Sequence, residues 1–137
     1  MIILSVDLGH ARTGLAVSDK SGFLASSLCV ITERQDEKLI EKIAEKVAET
    51  KAERIVVGLP RNMDGTEGES ASHAREIAQK LTERTGIPHE MQDERGTTIT
   101  AHHYLSAGNV YGKKRKQKVD AVAASIILQN YLDSRKG

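Results

Sequence analysis

At 137 residues, 28% of them charged and 39% hydrophobic, the chain has the composition of one globular domain built around a single core. A formal net charge of +1 excludes a polycation that grips nucleic acid by its total charge, so any such affinity must come from local clustering. A single cysteine, Cys29, excludes an internal disulfide and a Cys-based zinc site, and three tyrosines with one phenylalanine argue against a base-stacking platform. No apolar run approaches the ~20 residues of a membrane helix, and no basic flank precedes the first apolar run. These features predict a cytoplasmic protein with no membrane association and no signal peptide.

In chain order, residues 2–7 form an apolar run that ends in a carboxylate, Asp7, as expected of a strand buried on both faces. A turn bearing Gly9, Arg12 and Gly14 leads into a second strand over 13–18, and Asp19-Lys20-Ser21-Gly22 turns the chain into a third over 24–31. Cys29 lies in that third strand and reads as a small buried hydrophobe. Asp36 is positioned to cap a helix whose buried face is Leu39, Ile40, Ile43, Ala44, Val47 and Ala48. A short apolar strand, 54–59, stops at Pro60, and a polar loop over 61–69 follows, where Thr66 and Glu69 could form a capping box. The next helix runs from about Ser70, with Ala74, Ile77, Ala78 and Leu81 inward and Gly86 as its stop. Residues 89–92 make a fifth strand ending in Asp93-Glu94-Arg95; Thr97 or Thr98 caps a helix to about 107; and a polar loop over 108–117 precedes a last helix. The apolar face of that helix is Val119, Val122, Ala123, Ile126, Ile127 and Leu132. Short turns imply an antiparallel three-stranded meander, while helical crossovers favour parallel strands. The fold class is therefore α/β, a mixed five-stranded sheet with helices on both faces, in a single domain over 1–137.

Three acids fall where chemistry is expected. Asp7 ends strand one, Glu94 or Asp93 ends strand five, and Asp120 lies in the first turn expected of the last helix. The ends of parallel strands share one edge, the usual place for ligands in α/β sheets. Convergent carboxylates with no His or Cys among them suit Mg2+ or Mn2+, one ion or two, rather than zinc. Two such ions about 3.5–4 Å apart would clamp the oxygens of a phosphodiester undergoing in-line attack. Residues 113–118 carry five cations in six positions, Lys113, Lys114, Arg115, Lys116 and Lys118, next to Asp120. Phosphate contacts beside metal-binding acids are what a nuclease needs. Each feature has an ordinary alternative: Asp7 as a turn residue, Asp120 as a favourable charge at a helix start, 93–95 as a solvated ion pair, and the basic run as plain surface.

Four ordered motifs settle which set of proteins the chain resembles. They are Asp7-Leu8-Gly9-x-x-Arg12-x-Gly14-x-Ala16-x-Ser18-Asp19; Val57-Gly58-Leu59-Pro60-x-Asn62-Met63-Asp64-Gly65-Thr66; Asp93-Glu94-Arg95-x-Thr97-Thr98; and Lys118-Val119-Asp120-x-x-Ala123-Ala124. Spanning nearly the whole chain, they resemble the YqgF family of bacterial ribonuclease H-like proteins. The resemblance implies a ribonuclease H-like fold and a metal-dependent nuclease that matures the 5′ end of pre-16S ribosomal RNA. It places the family's acids on Asp7, Glu94 and Asp120 as catalytic residues and metal ligands. Arg12, Asn62, Arg95, Thr97, Thr98 and the 113–118 cations would then contact a structured nucleic acid. The family has also been described as Holliday junction resolvases, so branched DNA is the alternative substrate, and either a monomer or a homodimer is compatible. A non-catalytic RNA-binding assembly factor is the rival from another class; an actin-like kinase, which also opens on Asp-x-Gly, needs two such domains. Two positions depart from the family's pattern: Gly96, where a Leu is usual, and His10, where a small or hydroxyl residue is usual.

Overall fold

The computed structural model describes residues 1–9, 11–60, 64, 66–93 and 112–136, the last stretch as backbone alone over 112–121 and at 136. Five strands, β1 (Ile3–Leu8), β2 (Arg12–Ser18), β3 (Ala25–Thr32), β4 (Arg54–Leu59) and β5 (His89–Asp93), form one sheet in the order β3-β2-β1-β4-β5. The β1–β2 and β2–β3 pairs are antiparallel, whereas β1–β4 and β4–β5 are parallel. This is the expected meander followed by two crossovers. Helices α1 (Asp36–Thr50) and α2 (Glu69–Thr85) cover one face, and α3 (Gly112–Lys136) crosses the other.

Strand alternation divides the core between the two faces. Leu4, Val6, Leu15, Ile55 and Val57 point towards α1 and α2, where they meet Leu39, Ile43, Ile77 and Leu81. Ile3, Ala16 and Val56 point the other way, against Ala124, Ile127, Leu128, Tyr131 and Leu132 of α3. The α3 stripe is rotated from the one expected: Ala124, Leu128 and Tyr131 are buried, while Val122 and Ile126 are only half covered.

The helix ends follow local chemistry, with three corrections. Gln35 is the N-cap of α1, and Asp36 stands one residue later, where its carboxylate accepts from His73 Nε2 at 3.0 Å on the neighbouring helix. The capping box is absent because α2 starts after Gly68. Thr66 instead donates its N–H and hydroxyl to Asp64 Oδ1, at 2.9 and 2.7 Å. The polar loop expected up to 117 is already helical from Gly112, because Lys, Arg and Gln are good helix formers and no breaker lies between 113 and 118. Gly86 does end α2, at φ +75°, and its N–H donates to the Thr82 carbonyl at 2.8 Å. The helix expected over 97–107 lies outside the described residues.

Cys29 is packed against the α1/α2 core, and loss of solvation pushes its thiol above its ordinary pKa. The residue is half-buried rather than buried as expected. Among the described residues, no helix is long and apolar enough to cross a membrane.

Candidate active site

The site is read from the carboxyl ends of β1, β4 and β5. Leu8 packs into the α1/α2 core, so Asp7 beside it projects from the opposite face, the one α3 crosses. Asp7 pairs with Gly14 on β2, and on β4 the next level after Val6–Val57 brings it beside Gly58. Neither flanking position carries a side chain, so the carboxylate stands in a gap in the sheet's side-chain layer. Arg12 occupies the same face as Gly14 and Ala16 and comes to the same edge. Gly9 makes the turn possible: a Cβ there would collide with the Arg12 carbonyl oxygen.

Alternation fixes the face of Asp93, the last residue of β5. Met91 packs with the α1/α2 core, and Asp93, two residues on and paired with Leu59, shares its face. Asp93 therefore lies on the other side of the sheet from Asp7. Glu94 lies outside the described residues, as do Asn62, Arg95, Thr97 and Thr98.

The position of Asp120 follows from how α3 is fastened. Ser5, wholly buried on β1, donates its hydroxyl to the Ala124 carbonyl at 2.7 Å. Arg54, paired with Ile3 at the opposite end of the sheet, donates to the Tyr131 hydroxyl at 2.9 Å. The helix thus runs antiparallel to β1. Four residues of helix, from Ala124 back to 120, rise about 6 Å, and two residues of strand, Ser5 to Asp7, span about 6.6 Å. The backbone at 120 therefore arrives level with Asp7, on the stripe of α3 that carries Ala124. Because α3 starts at Gly112, Asp120 is beyond its second turn, not in its first as expected. A helix-dipole role is weak there, since that effect fades within a turn of the end.

The five cations of 113–118 occupy the first two turns of α3, which contain no acid in the first turn. Positive charge at a helix N-terminus opposes the helix dipole and costs stability. A local conflict of this kind is characteristic of functional surface. Among the described residues, no group of three or more His, Cys, Asp or Glu side chains is placed to hold an ion. The set carried over from the resemblance includes Glu94 and the Asp120 side chain, which are not among them. Sequence reading alone missed Ser5, which looks like any small core residue, and the pairing of Gly14 and Gly58 around Asp7. The signal for the latter was present as two glycines inside apolar strands.

The mixed sheet, with an antiparallel meander leading into two parallel strands and helices on both faces, defines a ribonuclease H-like domain. Solved structures agree. Thermus thermophilus RuvC superposes with a TM-score of 0.60 at 14% identity, over 100% of this chain and 97% of that one. The fowlpox virus resolvase, solved with Holliday junction DNA, gives 0.59 at 12% identity over 100% of both chains. At such identities the likeness concerns the fold.

The chain belongs to the YqgF family: the family profile described as "RuvX: Holliday junction resolvase" matches residues 1–134. Among its relatives, a protein of Leuconostoc citreum is 42% identical over 137 residues, covering 98% of this chain and 96% of its own length. One from Clostridium botulinum is 43% identical over 133 residues, covering 97% of each. Both carry the name "Putative pre-16S rRNA nuclease".

Proposed function

We propose that this protein is a divalent-metal-dependent nuclease that trims the 5′ end of precursor 16S ribosomal RNA in the cytoplasm. The observation that carries the reading is the meeting of Asp7 and the backbone of Asp120 at one sheet edge, on one face. Five cations occupy the two turns of α3 just before Asp120.

The donor chemistry fits a hard cation: Asp7 and Asp120, with Glu94 as the third acid, offer carboxylate oxygens and no sulfur or imidazole. When bound, Mg2+ or Mn2+ would polarise the scissile phosphate and lower the pKa of an attacking water. Asp7, in the space left by Gly14 and Gly58, fixes where that charge sits against the sheet. Arg12 and the 113–118 cations hold phosphates on either side, with Arg95, Asn62, Thr97 and Thr98 as further contacts. Asp93 is assigned no ligand role, because it faces α1 and α2.

Junction cleavage is the second reading, favoured by the family's description. A four-way junction has two-fold symmetry and calls for a dimer with two facing sites, whereas end-trimming can be done by a monomer.

The deciding experiment offers precursor ribosomal RNA and a four-way DNA junction side by side, with and without Mg2+, to wild type and Asp7→Asn. The expected result is Mg2+-dependent RNA cleavage that falls about 10³-fold or more in the variant while RNA binding persists. Preferential junction cutting by a dimer would transfer the assignment to branched DNA. Equal cellular function of Asp7→Asn would identify a non-catalytic RNA binder.

A further inference from the structure

We infer that Ser5 is a positioning residue that sets the spacing of Asp7 and Asp120 by pinning α3 to β1. The inference rests on the nuclease reading above, in which those two acids act together. Ser5 lies two residues before Asp7 on the same strand face, and Ala124 lies one helical turn after Asp120. The buried 2.7 Å bond between them therefore sits one step behind the acids on both elements at once.

The rest of this interface cannot supply the same constraint. Ile3, Ala16, Val56, Ala124, Ile127 and Leu128 meet through apolar contact, which is non-directional and tolerates sliding. Other directional ties to α3 lie farther along it. Gln129 accepts from the Ala25 N–H at 3.0 Å and donates to the Phe23 carbonyl at 2.9 Å, and Arg54 bonds Tyr131. Those ties lie five and seven residues beyond Ala124, so a small slide or roll of α3 between them and position 120 is limited by Ser5 at Ala124. A mid-helix carbonyl already accepts from the N–H four residues on, so Ala124 uses its second lone pair for Ser5. Helix formation does not need that bond; placement does.

Ser5→Ala removes the bond at little cost in volume. Gln129→Ala removes a tie of similar kind at a distance from the acids and serves as the comparator. Both variants should melt a few degrees lower, about 4 °C each. Ser5→Ala alone should lower kcat on precursor RNA about ten-fold with KM unchanged, because misplacement by a fraction of an ångström harms reacting geometry rather than binding. It should also weaken Mg2+ binding about ten-fold, read without turnover from the Mg2+ dependence of the melting temperature. Ser5→Thr, which keeps the hydroxyl, should restore both.

If Ser5→Ala and Gln129→Ala lose activity and Mg2+ response alike, Ser5 is only a stabilising contact and the inference is overturned. It is overturned equally if Ser5→Ala matches wild type while Asp7→Asn is inactive, and the nuclease reading then survives. If Asp7→Asn cleaves like wild type, the nuclease reading itself fails.

Discussion

The two faces of this sheet are held by different physics. Against α1 and α2, a broad aliphatic cluster buries Leu4, Val6, Leu15, Ile55 and Val57 with Ile43, Ile77 and Leu81. Its outer rim carries ion pairs such as Arg84 to Glu41 at 2.6 Å and Arg75 to Glu67 at 2.9 Å, which are exposed and add little. Against α3 the apolar cluster is smaller, and polar bonds come from three strands: Ser5 on β1, Arg54 on β4 and Ala25 on β3. Tyr131 accepts from Arg54 at 2.9 Å and from Arg135 at 2.8 Å, and its hydroxyl holds the Arg54 guanidinium even more firmly protonated than usual. The α1/α2 face has directional bonds too, Thr82 to His89 at 2.6 Å and His73 to Asp36 at 3.0 Å, but apolar area dominates there and direction takes the larger share at α3. The α3 face carries Asp7, Arg12 and the helix of Asp120. Area resists unfolding, while directional bonds fix where a carboxylate stands.

The contrast can be broken most forcefully from the apolar side. Leu81→Ala leaves a cavity between α2 and the sheet and should cost about 3 kcal/mol in denaturant unfolding. Cleavage per folded molecule should stay at the wild-type level, since no polar tie to α3 is touched. A loss of specific activity as large as the loss of stability would show that the faces are not separable.

A smaller effect, of opposite sign, is expected at Thr13. Its hydroxyl is fully buried on the α1/α2 side of β2 with no hydrogen-bond partner among the described residues. Thr13→Val replaces that hydroxyl with a methyl of similar size and should stabilise by about 1 kcal/mol in the same assay. Destabilisation would mean that the apolar face hides a polar requirement.

The smallest effect concerns the turn that anchors α3 at β3. Asp19 Oδ2 accepts from the Ser21 hydroxyl at 2.6 Å, and Oδ1 accepts from the N–H groups of Phe23 and Leu24 at 2.9 and 3.3 Å. These bonds, the Ser21 hydroxyl first, lower its pKa from 3.8 to about 2. A depressed folded-state pKa means a contribution present above about pH 4 and lost as the pH falls through about 2. The melting-temperature gap between wild type and Asp19→Asn should be level above pH 4 and close between pH 4 and 2. A gap that persists at pH 2 would remove the ionised carboxylate from the account.

How much was legible in the sequence follows the range of the interactions. Strands, the amphipathic α1 and α2, the antiparallel meander with parallel strands after it and the candidacy of Asp7 could be read directly. Apolar alternation, helical spacing and turn residues are local, and short connections leave few topologies. The four motifs likewise identified the family from residues alone. The start of α3 could not be read, because a run of cations suggests a loop although each is a good helix former. The face of Asp93 also needed the sheet, since it depends on which side Met91 packs against. Only the tertiary structure showed Gly14 and Gly58 flanking Asp7, and only it joined Ser5 to Ala124. Those contacts link residues far apart in the chain, where no local pattern records which side chains will meet. The sequence alone determined the five strands, α1, α2 and the acid at the end of β1; the packing of α3 across the sheet decided that the backbone of residue 120 comes level with that acid.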